Sequence, residues 1–125
     1  HSMEAVGPMI SPDRGKEKPK ICLGSNHGKS CSKEWVQKMA QSFRSAFDLK
    51  ENEVVVDQPF AGGLITRTYG NKPIPCIQVE MNRNLYLSPP WFNPQTLMIN
   101  PGRLNDLKNN FKITLELFFQ STFQN

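Results

Sequence analysis

Residues 77–82 run Ile77-Gln78-Val79-Glu80-Met81-Asn82, apolar and polar side chains in alternation. A period of two is the signature of a β-strand with one apolar face. Pro73 and Pro75 stand just before it and keep the approach extended, because a residue preceding proline avoids the helical region. The strand places Gln78, Glu80 and Asn82 on one face, with Arg83 just past its end. A carboxylate between two amides, followed by a guanidinium, makes a poor core and a good site. An edge strand whose polar face meets water would carry the same pattern, with Glu80 and Arg83 as solvated charges. Spacing alone leaves both readings open.

The rest of the chain is read around that strand. Residues 7–20 hold prolines, glycines and many charges, and predict an irregular loop. Lys20-Ile21-Cys22-Leu23-Gly24 is a short buried strand, followed by a polar loop that carries His27. Ser32 is a suitable N-cap, with Glu34 in the first turn where the helix dipole favours an acid. Trp35, Val36, Met39, Ala40, Phe43, Ala46 and Phe47 then recur at helical spacing, predicting an amphipathic helix of about fifteen residues. Its aromatic stripe is core rather than a cofactor site. Glu53-Val54-Val55-Val56-Asp57 is a β-branched strand stopped at Pro59. Strand, helix, strand in this order predicts two parallel strands joined by a crossover.

Pro59-Phe60-Ala61-Gly62-Gly63 and the residues up to Gly70 read as a turn. The glycine pair permits an unusual backbone path or a close approach, but its spacing fits neither a P-loop nor a dinucleotide fingerprint. Residues 88–94, with three prolines, cannot be helical throughout. Asn100-Pro101 opens a last helix, Asn as cap and Pro at its first position. Leu104, Leu107, Phe111, Leu115 and Phe118 are expected to line its buried face. The fold class is α/β.

With 125 residues the chain is long enough for one domain with a real core. At 38% apolar and 21% charged residues it is globular rather than disordered. The net charge of +4 is modest, and the single basic cluster, residues 14–20, is diluted by Glu17 and reads as a solvated loop. Neither a nucleic-acid nor a membrane partner is expected, and no apolar run approaches a membrane span. Oligomeric state is left open. Cys22, Cys31 and Cys76 are odd in number and form no C-x-x-C pair; Cys22 and Cys76 fall in expected strands. That pattern favours free thiols in a reducing, cytoplasmic compartment and shows no structural zinc cluster.

Several segments together resemble the N-formylglutamate amidohydrolases, which belong with the zinc-peptidase-like hydrolases. They are His1-Ser2-Met3, then Cys22-Leu23-Gly24 with His27-Gly28-Lys29-Ser30-Cys31-Ser32. Pro59-Phe60-Ala61-Gly62-Gly63 with Ile65-Thr66 and Tyr69-Gly70 follows, and finally residues 77–83 with Leu85-Tyr86. They stand in the family's order and at its spacings. The resemblance implies a mixed, mainly parallel sheet flanked by helices, with residues 1–125 corresponding to the C-terminal half of the catalytic domain. It also implies a mononuclear zinc site, one of whose ligands is matched by His1. The other ligands come from a half with no counterpart in these residues, so the implied ligand set is incomplete here.

Taken with the resemblance, the chemistry is hydrolysis of the amide in N-formyl-L-glutamate or a related N-acyl amino acid. A zinc with an open position would activate water, and Glu80 would be the general base that later protonates the leaving nitrogen. A dicarboxylate substrate needs fixed cations, for which Arg67 and Arg83 are candidates, with Asn82 beside them. For each arginine a structural ion pair is an equal alternative. His27 reads as a loop histidine. The competing class is a non-catalytic binding or interaction module that kept the hydrolase fold.

Overall fold

A computed structural model describes residues 1–123. Four strands form the main sheet: β1 (Ser2–Met3), β2 (Ile21–Gly24), β3 (Val54–Val56) and β4 (Gln78–Asn82). Their order is β1-β4-β2-β3. β1 runs parallel to β4 and β2 parallel to β3, while β2 and β4 are antiparallel. The alternating strand is therefore interior, paired on both edges. The sheet is mixed and mainly parallel, and helices flank it.

Between β2 and β3 runs α1 (Lys33–Phe47). Ser32 caps it as expected, its side chain accepting from Trp35 N at 3.2 Å. Asp48, at φ 52°, turns the chain out of the helix. Arg44 then ties the helix end to the strand that follows, donating to the Val54 carbonyl at 2.9 Å. The parallel β2–β3 register, Ile21 beside Val54 and Leu23 beside Val56, is the outcome the strand–helix–strand pattern predicts.

One face of the sheet is the core. Ile21, Leu23 and Val54 are buried there against Val36, Met39, Ala40 and Phe43 of α1, with Val79 and Ile77 packed alongside. The last helix, α3 (Pro101–Phe123), covers α1 and sends Phe118 into the same cluster. Asn100 caps it, accepting from Arg103 N at 3.0 Å. Leu107 and Phe118 are buried, and Phe111 and Leu115 pack partly against the core. Leu104 departs from expectation at 43% exposed. The two helices run antiparallel, with Phe43 against Phe111 and Trp35 against Phe118. α1 ends at Phe47, so the first turn of α3 overhangs it.

Three local expectations are revised. Residues 64–69 form a short helix, α2 (Leu64–Tyr69), where a turn was read. Six residues are too few for a helical period, and Gly63 at its start offers no capping side chain. Cys76 lies just before β4 rather than in it. Lys18, in the run read as solvated, has a side chain only 7% exposed. Residues 92–93 and 98–99 add a small antiparallel pair, β5 (Phe92–Asn93) and β6 (Met98–Ile99), in the proline-rich stretch. Among the described residues, no helix is long and apolar enough to cross a membrane.

Candidate functional site

Strand register decides which side chains meet. β1 pairs with β4 as Ser2 with Met81 and Met3 with Asn82, so His1 falls beside Glu80. The pairing is extended by Met81 N donating to the His1 carbonyl at 3.1 Å and by the terminal ammonium donating to the Val79 carbonyl at 3.0 Å. The His1 Nδ1 then lies 3.2 Å from Glu80 Oε1. Two residues 79 positions apart are joined by one ladder.

Glu80 sits on the sheet face opposite the core, and its side chain is 10% exposed. Burying a carboxylate this far demands donors. Gln78 supplies one, its Nε2 donating to Glu80 Oε1 at 2.7 Å. The orientation of that amide follows from its other end. Gln78 Oε1 accepts from Gly63 N at 2.6 Å and from the Thr66 hydroxyl at 3.3 Å, so the NH₂ must face the carboxylate. This explains the glycine pair. Gly62 has φ +135°, outside the comfortable range of other residues, and a Cβ on Gly63 would stand 3.3 Å from Gln78 Oε1. Glu80 Oε1 thus receives the Gln78 amide and lies beside the His1 ring, while Oε2 has no hydrogen-bond donor among the described residues.

Beneath it, Cys22 is paired across the ladder with Glu80. Burial pushes its thiol up to about 11, and Glu80 and Asp57 add to the effect. Its Sγ lies 3.1 Å from the Gln58 carbonyl and 3.3 Å from that of Phe60. A thiol held neutral in this way packs as an apolar residue and is no nucleophile.

A cleft of about 600 Å³ opens over this face, with Glu80, Ser2, Asp13, Lys18, Phe60 and Arg83 on its walls. Arg83 lies on the cleft wall, Nε donating to Ser2 Oγ at 3.4 Å. Arg67 is exposed on α2 and is not one of the cleft's lining residues. Asn82 is 2% exposed and engaged elsewhere: its Nδ2 donates to the Lys18 and Pro19 carbonyls, and its Oδ1 accepts from Asn84 N. The structure gives it the task of closing the strand end. His27 is exposed in a loop at φ 54°, lining a separate small hollow. Sequence reasoning missed Lys18 and the orienting role of Gln78. Gln78 was legible as a polar neighbour of Glu80; nothing in the spacing marks Lys18.

A family model described as N-formylglutamate amidohydrolase matches residues 1–87. The chain belongs to the N-formylglutamate amidohydrolase family. The crystal structure of N-formylglutamate amidohydrolase from Ralstonia eutropha JMP134 superposes with a TM-score of 0.62 at 20% identity, over 94% of this chain and 40% of that one. At that identity the likeness shows the fold. This chain spans 40% of the length of that relative. No curated protein matches in sequence. Members of this family are expected to hold a metal, and the donors here can be compared with that expectation. His1 and Glu80 meet, but no three His, Cys, Asp or Glu side chains group as a metal site among the described residues. The residues present do not by themselves fit a zinc centre.

Proposed function

We propose that this chain carries the base-bearing part of an amidohydrolase site acting on N-formyl-L-glutamate or a related N-acyl amino acid. The products are then formate, or another acid, and the amino acid. Residues 1–125 are read as the C-terminal half of the catalytic domain. Support comes from the family membership and from one observation: the Glu80 carboxylate, buried beside His1, has one oxygen held by the Gln78 amide and the other without a hydrogen-bond donor among the described residues. A carboxylate fixed in that way can accept a proton from an attacking water and deliver it to the departing nitrogen. Arg83 is the better placed of the two arginines to hold a substrate carboxylate, and Arg67 stands off the cleft. Of the expected zinc ligands His1 is the one this chain offers, so no step of the hydrolysis is carried through a metal here. The three free cysteines support a reducing, cytoplasmic setting.

The test is Glu80→Gln in the hydrolytically active protein, followed by formate release. The exchange keeps size and an acceptor but removes the proton-accepting charge. Loss of a positioned acid–base group lowers kcat on the order of 10²–10⁴-fold. Zinc content should stay near wild type. Full turnover in a folded variant would sink the assignment.

The lack of a three-donor group favours one second reading, a non-catalytic module that keeps the fold. Metal analysis of the protein separates the two.

A further inference from the structure

Cys31 ends the loop before α1, and Cys76 stands just ahead of β4. Hydrogen bonds tie the two segments together. Cys76 N donates to the Ser30 carbonyl at 2.8 Å, and the Ser30 hydroxyl donates to the Cys76 carbonyl at 2.9 Å. Ser30 is 1% exposed, so this tie is shielded from water. The backbone bond also limits how far apart the cysteines stand. The path from Cys31 Cα to the Ser30 oxygen, and across the hydrogen bond to Cys76 Cα, spans at most about 7 Å. A disulfide needs Cα atoms about 4.4–6.8 Å apart, which puts the pair within bridging reach. The thiols also sense one another: burial raises the Cys31 pKa, and a Cys76 thiolate raises it further.

The two sulfurs are unequally placed. Cys31 is fully buried, while Cys76 is half-buried and lines a hollow of about 590 Å³ beside Leu64 and Ile65. A small reagent therefore meets Cys76 first. Cys22 is engaged elsewhere, its Sγ beside the Gln58 and Phe60 carbonyls.

We propose that Cys31 and Cys76 form a redox-active dithiol, a modification site for low-molecular-weight disulfides of the glutathione class. The Cys76 thiol gives its proton to solvent, and its sulfur attacks one sulfur of the reagent. The reagent's S–S bond breaks, one thiolate leaves, and Cys76 carries a mixed disulfide. That group is neutral, so the charge that helped to hold the Cys31 proton is gone. Cys31 then loses its proton, and its sulfur attacks Cys76 Sγ and expels the second thiolate. Two protein thiols are oxidised to one disulfide, and one reagent disulfide is reduced to two thiols, which take up the released protons. The bridge fastens the loop before α1 to the entry of β4, just ahead of the Gln78 that orients Glu80. In reducing compartments disulfides of this kind are transient and redox-sensing. The pair is independent of the reaction performed in the cleft.

The test needs no turnover. The folded 125-residue chain is equilibrated in glutathione buffers of rising oxidised fraction and quenched in acid. Free thiols are then alkylated in denaturant, and the intact chain and its proteolytic peptides are weighed by mass spectrometry. The expected product is a monomer lacking two hydrogens, with the Cys31 and Cys76 peptides linked and Cys22 alkylated. Cys31→Ala should stop at a stable glutathione adduct on Cys76, and Cys76→Ala should leave the remaining thiols free. If either variant fails to fold, the wild-type peptide map still decides. A persistent adduct on wild-type Cys76 with Cys31 free overturns the proposal. So does a bridge to Cys22, a disulfide-linked dimer, a bridge that forms only in urea, or three free thiols at the most oxidising poise.

Discussion

Cys22 and Glu80 face each other across one ladder rung and show how differently a sheet treats two acids. The carboxylate is provided with donors, whereas the thiol is kept protonated by burial. That difference gives a prediction at the level of single groups. A thiol raised from 9.0 to about 11 holds its proton more tightly folded than unfolded. Its contribution to stability is then complete below about pH 9 and is lost as the pH rises through about 11. The stability difference between wild type and Cys22→Ala should therefore shrink across that interval, as read by urea unfolding at a series of pH values. A flat difference would show that Cys22 is not held neutral by the fold. The same burial predicts that a thiol reagent reaches half-buried Cys76 first, and Cys22 and Cys31 only on unfolding. Residue identity alone marked Glu80 as interesting. The value of its environment came from Gln78, Gly63 and His1, which are brought to it from a strand, a loop and the chain end.

Among the elements, α1 follows most directly from local chemistry. Its cap, its acidic first turn and its apolar stripe agree, and the helix spans the expected residues. Ser32→Ala removes the acceptor for Trp35 N and should cost about 0.5–2 kcal/mol. Chemical denaturation measures this. A loss well beyond that range would mean that Ser32 holds more than the helix start. Where an element is short, local chemistry fails. α2 has six residues and takes its definition from contacts: Thr66 is buried at 3% exposure and bonds to Gln78, and Gly63 bonds to the same oxygen. Leu104 fails for a related reason, as its stripe is correct but the partner helix stops short of it.

For the molecule as a whole, the prediction concerns metal. Among the described residues the chain brings together His1 and Glu80 and no third donor. The isolated 125-residue chain should therefore bind zinc weakly, well below one equivalent after dialysis, by elemental analysis. Tight, stoichiometric zinc would show that a complete site forms from residues not grouped here. What the sequence by itself determined were decisions with a local or periodic signal: α1 and its cap, the start of α3, the alternation of β4, and the parallel pairing across α1. These depend on periodicity and capping, which act over a few residues and leave a repeating trace in the chain. The resemblance supplied the family, carried by segments spread over residues 1–87. Only the tertiary structure decided that His1 lies against Glu80, that Gln78 is oriented by Gly63, that Asn82 serves the strand end, and that the Lys18 side chain is largely buried near Asp13. Each of those depends on strand register or loop closure between residues far apart in sequence. Such contacts have no period to betray them, and become visible only when the chain has folded.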